Sequence, residues 1–253
     1  MKLSALSALF GATLVASQHA PASNETTLPK NWAVALFPSF DPIDVFGTLD
    51  PLYYLAFSRQ LNLALISETL DPVWVQPPTP SQNHQNSSFW YSVNPTHTYA
   101  NPPSDIEVLL VPGGGGVRLL NLTAQIDFVR ATYPKVKYLL SVCTGAGILA
   151  KAGVLDGRSA TTNKKAWGTI TAMGPKVNWK SPARWIVDGN IWSSSGVTAG
   201  LDLIFAFIEE VYGKELAENI AGTVEYERSR GMCDDPFGAI HGVKPTWECV
   251  ETK

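Results

Sequence analysis

Apolar runs of strand length that alternate with helix-forming segments predict an α/β protein built on a largely parallel sheet. Three observations carry this prediction. Residues 32–37 (WAVALF), 106–111 (IEVLLV) and 138–142 (YLLSV) are mostly apolar rather than apolar at every second position, the pattern of strands covered on both faces. The second and third of these runs lead into small-residue turns, Gly113 to Gly116 and Thr144 to Gly147, that open helices. Residues 199–212 are apolar enough for a long helix lying against a sheet.

In chain order, the 32–37 run is the first strand, bounded by Pro38. Residues 39–48 read as a loop carrying Asp41 and Asp44, and a helix runs from about 45 or 50 to 59, with Leu49, Leu52, Tyr53 and Phe57 near helical spacing. Asp44 thus stands where the first strand hands over to the first helix. Strands are expected over 61–66 and 73–76. Residues 77–103 are rich in Pro, Asn, Ser and Thr yet hold Phe89-Trp90-Tyr91 and His97-Thr98-Tyr99, which marks a β-excursion between polar loops. After the 106–111 strand, Pro112 and the glycine run lead into a helix over 117–133. The 138–142 strand turns at Cys143 into the next helix. A short strand over 159–162 and a short helix over 163–173 follow. A hairpin about Asp188-Gly189 and helices over 199–212 and 214–224 come after them.

The chain has 253 residues, 45% hydrophobic and 16% charged, enough for one large core, and a single domain is expected over 21–253. A formal charge of −3 with no run of Lys or Arg lacks the footprint of nucleic-acid or anionic-membrane binding and leaves a small molecule as the partner. Lys2, the apolar run 3–16 and Val15-x-Ser17 read as a secretory signal over 1–20, cleaved near 17–20. The run is shorter than the roughly 20 residues that span a bilayer. Sequons at Asn24, Asn86 and Asn121 fit a secreted glycoprotein. Of the three cysteines, an oxidising compartment pairs two. Cys233 and Cys249 share the C-terminal tail, where a bridge would pin a loose segment and leave Cys143 free. The other reading, three reduced thiols with Cys143 a small buried hydrophobe, stays open.

The strand-to-helix corner at Cys143 is a place for a strained, exposed side chain, and helix-start N–H groups favour negative charge there. A lowered thiol pKa is therefore expected. The glycine run fits neither GxGxxG nor GxxxxGK[ST], so bare N–H groups of Gly114 or Gly115, with that of Thr144, are read as an oxyanion hole; the plainer reading is a tight turn. Asp44 is read as an active-site acid or as a helix cap, and Asp41 as loop. Asn163 and Trp167 are read as pocket residues, with capping the alternative for Asn163. Tyr226 and Glu227 are read as structural or interfacial. The sequence has no zinc-ligand cluster, and neither metal nor cofactor is called for.

VPGGGG (111–116), SVCTGAGILAKAGVLDGRSATT (141–162) and SSGVTAGLDL (194–203), in that order, resemble the ThiJ/PfpI superfamily, whose fold is similar to class I glutamine amidotransferases. The resemblance spans roughly 33–240. It implies a flavodoxin-like three-layer sandwich, a nucleophile elbow at Cys143 and a homodimer. FPSFDPIDVFGTLDPL (37–52) resembles the branch that includes isonitrile hydratases and the amidase-like domains of some transcription regulators. In that branch an aspartate after the first strand faces the cysteine, and Asp44 is the matching residue. Many relatives place a histidine shortly after the ATT segment; this chain has Asn163-Lys164-Lys165, so a Cys-His-acid triad is not expected. The implied function is a hydratase-type lyase that adds water to a small electrophile through a covalent Cys143 adduct, with Asp44 moving the proton and isonitrile hydration leading. The alternatives are glyoxalase-like conversion of a dicarbonyl, another lyase or isomerase step on a secondary metabolite, and a non-catalytic secreted binding or stress protein.

Overall fold

The 32–37 run folds as β1 (Asn31–Ala35), and its last four residues are buried, as a strand covered on both faces requires. The computed structural model describes residues 28–229 and 231–250. The proposed signal segment and the Asn24 sequon lie outside the described residues.

Asp41 accepts the Ile43 N–H, and with Pro42 at the first helical position it starts α1 (Pro42–Leu55) several residues earlier than the hydrophobic spacing alone indicates. Asp41 is therefore the cap, not plain loop, and Asp44 is a helical residue of the first turn. β2 (Asn62–Ser67) pairs with β1 in parallel. β3 (Val73–Val75) and β4 (Tyr91–Val93) form an antiparallel ribbon, and β5 (His97–Thr98) returns to the edge of the main sheet beside β2. The excursion is thus a ribbon on the surface, with Asn86 exposed between its strands.

β6 (Val108–Val111) is buried throughout. The single helix expected behind it is broken into α2 (Gly116–Leu119) and α3 (Thr123–Thr132), because Leu120 is extended and the Asn121 side chain accepts both the amide and the hydroxyl of Thr123. β7 (Tyr138–Ser141) leads through Cys143 into α4 (Ala146–Lys151). β8 (Ser159–Ala160) pairs with β9 (Asn178–Trp179), a strand that the sequence pattern does not announce, and between them only α5 (Trp167–Thr171) of the expected 163–173 helix forms. β10 (Trp185–Asp188) and β11 (Ile191–Ser194) are the hairpin, with Gly189 at φ +61°. α6 (Ala199–Tyr212), α7 (Lys214–Thr223) and the short α8 (Phe237–Ile240) complete the chain.

The seven-stranded sheet runs β10-β11-β7-β6-β1-β2-β5, parallel except for β10. α1, α6 and α7 pack on one another, and α3, α4 and α5 form a second group, giving helices around a central sheet. Phe207 of α6 meets Trp32, Tyr138 and Trp192 edge-on at centroid distances of 5.4, 5.0 and 5.2 Å, so one ring ties α6 to β1, β7 and β11. Each such contact is worth about 0.5–1.5 kcal/mol beyond the area it buries. This fixes where α6 begins, and that end borders the site.

Candidate active site

β11, β7, β6 and β1 are consecutive and parallel, so the segments leaving their carboxyl ends meet at one edge. In that order they deliver Ser195–Ala199, Cys143, the glycine run and Asp44. The glycine run is stitched to the segment after β1: Asp41 N donates to the Gly113 carbonyl at 2.8 Å and Gly116 N to the Ser39 carbonyl at 3.3 Å. A Cβ on Gly114, which has φ +141°, would stand 2.4 Å from the Ser39 carbonyl, and one on Gly113 would stand 2.5 Å from the Thr144 amide. Close backbone approach explains both glycines.

Cys143 takes φ +57°, a left-handed conformation rare for a residue with a side chain, and is 5% exposed. The corner strain expected of an elbow is therefore present, but the thiol is buried rather than open. Its pKa is also displaced opposite to expectation. Burial pushes it upward first, and the nearby Asp44 carboxyl adds to that. The Thr144 N–H, the Asn163 side chain at the sulfur and, on the raising side, Asp41 are lesser influences. The N–H groups of a short turn do not outweigh loss of water.

Asp44 is fully buried. Its Oδ2 accepts the Gly113 N–H at 2.8 Å; Oδ1 is buried without a conventional partner, and the remaining polar neighbour of the carboxyl is the Cys143 thiol. Burial first, then the Asp41 charge, raise the Asp44 pKa well above the ordinary 3.8, against the smaller opposing effects of Gly113 and Cys143. Asp44 is thus not the cap of α1. It is a buried acid beside a thiol, with its pKa displaced upward.

The remaining expected site residues divide. Gly114 does not offer a free N–H, because it donates to Thr144 Oγ1 at 2.9 Å; that correction leaves Thr144 N–H, directed at the sulfur, as the amide nearest the reacting atom. Gly115 opens α2 and lies against the Pro78 ring. Asn163 lines the adjoining cleft and its side chain reaches Cys143; its Oδ1 accepts the Ala166 N–H at 3.1 Å, but α5 follows Ala166 without a side-chain cap, so Asn163 is not a helix cap. Trp167 is a correction. It packs edge-on against Trp179 at 6.3 Å with the Lys164 ammonium 5.3 Å from its ring, outside the residues that line the adjoining cleft. Among the described residues no group of three His, Cys, Asp or Glu side chains is placed to hold a metal ion.

That cleft, about 250 Å³, opens beside Asn163 and is bounded by Arg184, Ser195 and Thr198 on one side and by Phe237 and His241 of the tail on the other. Lys164, which sequence reasoning missed, forms part of its wall, with Asp235 behind it. Lys164 is buried, pairs with Asp235 at 2.9 Å, and donates to Thr161 Oγ1, the Thr162 and Ala183 carbonyls and Ser195 Oγ. Thr162 in turn donates to the Cys143 carbonyl at 2.8 Å. The double lysine at 164 and 165 gives no sign that one is interior, since its partner lies far along the chain. The tail is clamped by the Cys233–Cys249 disulfide, by Thr246 on the Trp179 carbonyl at 2.8 Å and by Trp247 Nε1 on the Pro182 carbonyl at 2.8 Å.

Known proteins are similar to this chain in sequence and in fold. An isonitrile hydratase from Pseudomonas putida is 31% identical over 192 residues, 76% of each chain. The HTH-type transcriptional regulator GbdR from Pseudomonas aeruginosa is 30% identical over 129 residues, 51% of this chain but 35% of the regulator. The crystal structure of a ThiJ/PfpI family protein from Pseudomonas syringae superposes with TM-score 0.65 over 84% of each chain at 24% identity, a likeness of fold. The DJ-1/PfpI family model matches residues 33–210, the part of the chain that holds the sheet, Asp44, the glycine run and the Cys143 elbow, and the chain belongs to that family.

Proposed function

We propose that the chain is a cofactor-independent cysteine enzyme that adds water to a small electrophile through a covalent Cys143 adduct, and that the electrophile is an isonitrile. The observation that carries this reading is the buried Asp44 carboxyl, its pKa raised by burial, beside a strained Cys143 whose sulfur also meets an N–H and an amide side chain. The 31% identity to an isonitrile hydratase supports the choice of substrate.

In the proposed reaction Asp44 gives its proton to the terminal isonitrile carbon, and the carboxylate so formed takes the thiol proton as sulfur bonds to that carbon. A thiol that is not ionised at rest is compatible with this order, because its proton leaves as sulfur attacks. The adduct is a thioimidate, Cys143 S–CH=N–R. Water then adds across C=N, hydroxyl to carbon and proton to nitrogen, with Asp44 relaying the proton. The C–S bond breaks, the hydroxyl proton returns to sulfur through Asp44, and an N-substituted formamide leaves. One water is consumed and no electrons are exchanged.

The test is formamide production from cyclohexyl isonitrile followed by NMR, with intact-mass detection of the adduct after acid quench. Turnover of neither the isonitrile nor a reactive dicarbonyl, with no mass gained at Cys143, sinks the reading. A second reading, ligand binding without turnover, is favoured by the similarity to a transcriptional regulator. It predicts binding of a small molecule that Cys143→Ser leaves intact.

We propose also that the chain is exported and glycosylated, for which the tail disulfide and the exposed Asn86 and Asn121 are the support. A mature terminus near residue 20 and a mass loss on glycosidase treatment are the expected results. The exposed Tyr53 and Phe57 of the first helix region, 60% and 71% accessible, support a homodimer, which sedimentation would detect. Among the described residues no helix is long and apolar enough to cross a membrane.

A further inference from the structure

The charges around the cleft are uneven. Its lining includes Lys164, Lys165, Arg184 and His241 and no carboxylate. Lys164 is matched by Asp235 at 2.9 Å, and Arg184 by Asp202, whose Oδ2 accepts from Nε at 2.5 Å. Lys165 is exposed, and among the described residues no carboxylate pairs with it. Arg184 keeps part of its guanidinium toward the cleft, where Nη2 lies 3.5 Å from Thr198 Oγ1, and the Ser195 hydroxyl lies deeper. The acids near Cys143, Asp44 and Asp41, belong to the other end of the site, following β1, whereas the cleft follows β11. The site therefore has a proton-donating end and a cationic end, with Cys143 after β7 between them.

We propose that the cleft binds a carboxylate, and that the substrate is a small electrophile bearing one such group, held by Lys165 with Arg184, Thr198 and His241 as hydrogen-bond donors. One uncompensated side-chain cation matches a single negative charge better than a phosphate dianion. A volume of about 250 Å³ suits a short molecule, since sites for drug-sized ligands start at about 300 Å³. Held by its carboxylate at the β11 end, such a molecule turns its electrophilic carbon toward Cys143 and Asp44. The inference rests on the reading of Cys143 as nucleophile for what the bound molecule undergoes, but not for the binding itself.

Iodoacetate and iodoacetamide separate the two claims, since they differ in charge and react alike: sulfur bonds to the CH2 carbon, iodide leaves, and the thiol proton passes to solvent. The quantity read is the iodoacetate-to-iodoacetamide rate ratio at Cys143, followed by mass spectrometry and divided by the same ratio for 2-mercaptoethanol. The ratio cancels any general change in thiol reactivity. It is expected to exceed one by severalfold in the native chain and to fall roughly tenfold in Lys165→Glu, the scale of a two-charge change at partly screened distances. Lys176→Glu, the same charge change at a lysine outside the cleft, leaves the ratio unchanged. A ratio at or below one, or one that Lys165→Glu does not move, overturns the proposal while leaving the nucleophile reading intact. If neither reagent labels Cys143, the nucleophile reading fails instead. Binding of butyrate but not butyramide, lost in Lys165→Glu, then supports the carboxylate site, and equal or absent binding overturns it.

Discussion

The elbow at Cys143 and the C-terminal tail both adjoin one cleft, the first through Asn163 and the second through Phe237 and His241, yet different means hold them. The elbow is held by close backbone packing. Backbones approach so closely that glycine is required at positions 113 and 114, one N–H fixes Asp44, and one strained residue carries the thiol. The tail is held by side chains: a disulfide, a buried Lys164–Asp235 pair and groups hooked on the 179–183 segment. The elbow lies inside the stretch matched by the family model and the tail lies beyond its end at residue 210. On the proposed function, this division separates what makes a bond react from what decides which molecule reaches it. Perturbing the elbow should change rate, and perturbing the tail should change stability and substrate affinity.

The largest expected effect is at the elbow itself. Cys143→Ser should lower turnover by at least about 10⁴-fold, the scale of removing a covalent nucleophile, with little change in Tm because volume and φ are retained. Equal turnover in the two proteins, measured by formamide release, would break the comparison at its first term.

Asp44→Asn comes next, and it moves rate and stability in opposite directions. Loss of the proton donor should cost about 10²–10⁴-fold in turnover. The native carboxyl is raised above its ordinary 3.8, so between that pH and its native value the unfolded chain sheds a proton that the folded chain keeps. Native stability therefore falls as pH rises through that window, and the amide variant escapes the fall. Its advantage should be absent below pH 3.8 and grow as pH rises above it. Denaturant melts on either side of that pH check the sign.

Much of this is legible in the sequence, for reasons that particular residues make plain. Strands buried on both faces announce themselves by unbroken apolar runs, so β1, β6 and β7 sit where those runs place them, and α6 matches its expected bounds. Asp44 and Cys143 are legible as a pair through the resemblance, which implies an aspartate after the first strand facing the cysteine, and β6 alone separates the two parallel strands that carry them. The direction of the thiol pKa is not legible, because it depends on how much water the fold removes. Neither is the fate of the Gly114 N–H, which is taken by a hydroxyl from the next loop. The Lys164–Asp235 pair is a tertiary contact with no local pattern on either side, and the 117–133 helix breaks at an asparagine whose capping role competes with helix continuation.

Breaking that buried pair should weigh on stability more than on the chemical step. Lys164→Met leaves Asp235 charged and interior and should cost about 3–5 kcal/mol, as should Asp235→Leu, whereas the two together should cost less than their sum. Additive losses in chemical denaturation would show that the two residues do not act as a pair. Because Lys164 also holds Thr162 and Ser195, the surviving folded fraction of Lys164→Met should bind substrate more weakly.

The smallest effect, and the one that sharpens the division most, is at the disulfide. Cys233 and Cys249 are 16 residues apart in sequence, and a loop of about 15 residues is stabilised by about 3 kcal/mol when closed. The bond lies wholly within the tail, so opening it with Cys249→Ser loosens that segment and not the sheet. Asp235 remains paired with Lys164 and keeps the near end of the tail in place, while Phe237 and His241, which border the cleft, lose the restraint that closes behind them. The expected result is a KM raised by about tenfold or less with kcat nearly constant, together with earlier proteolytic cutting between residues 237 and 250. A kcat that falls in parallel would mean the tail reaches the reacting atoms, and the separation of rate from recognition between the two regions would have to be abandoned.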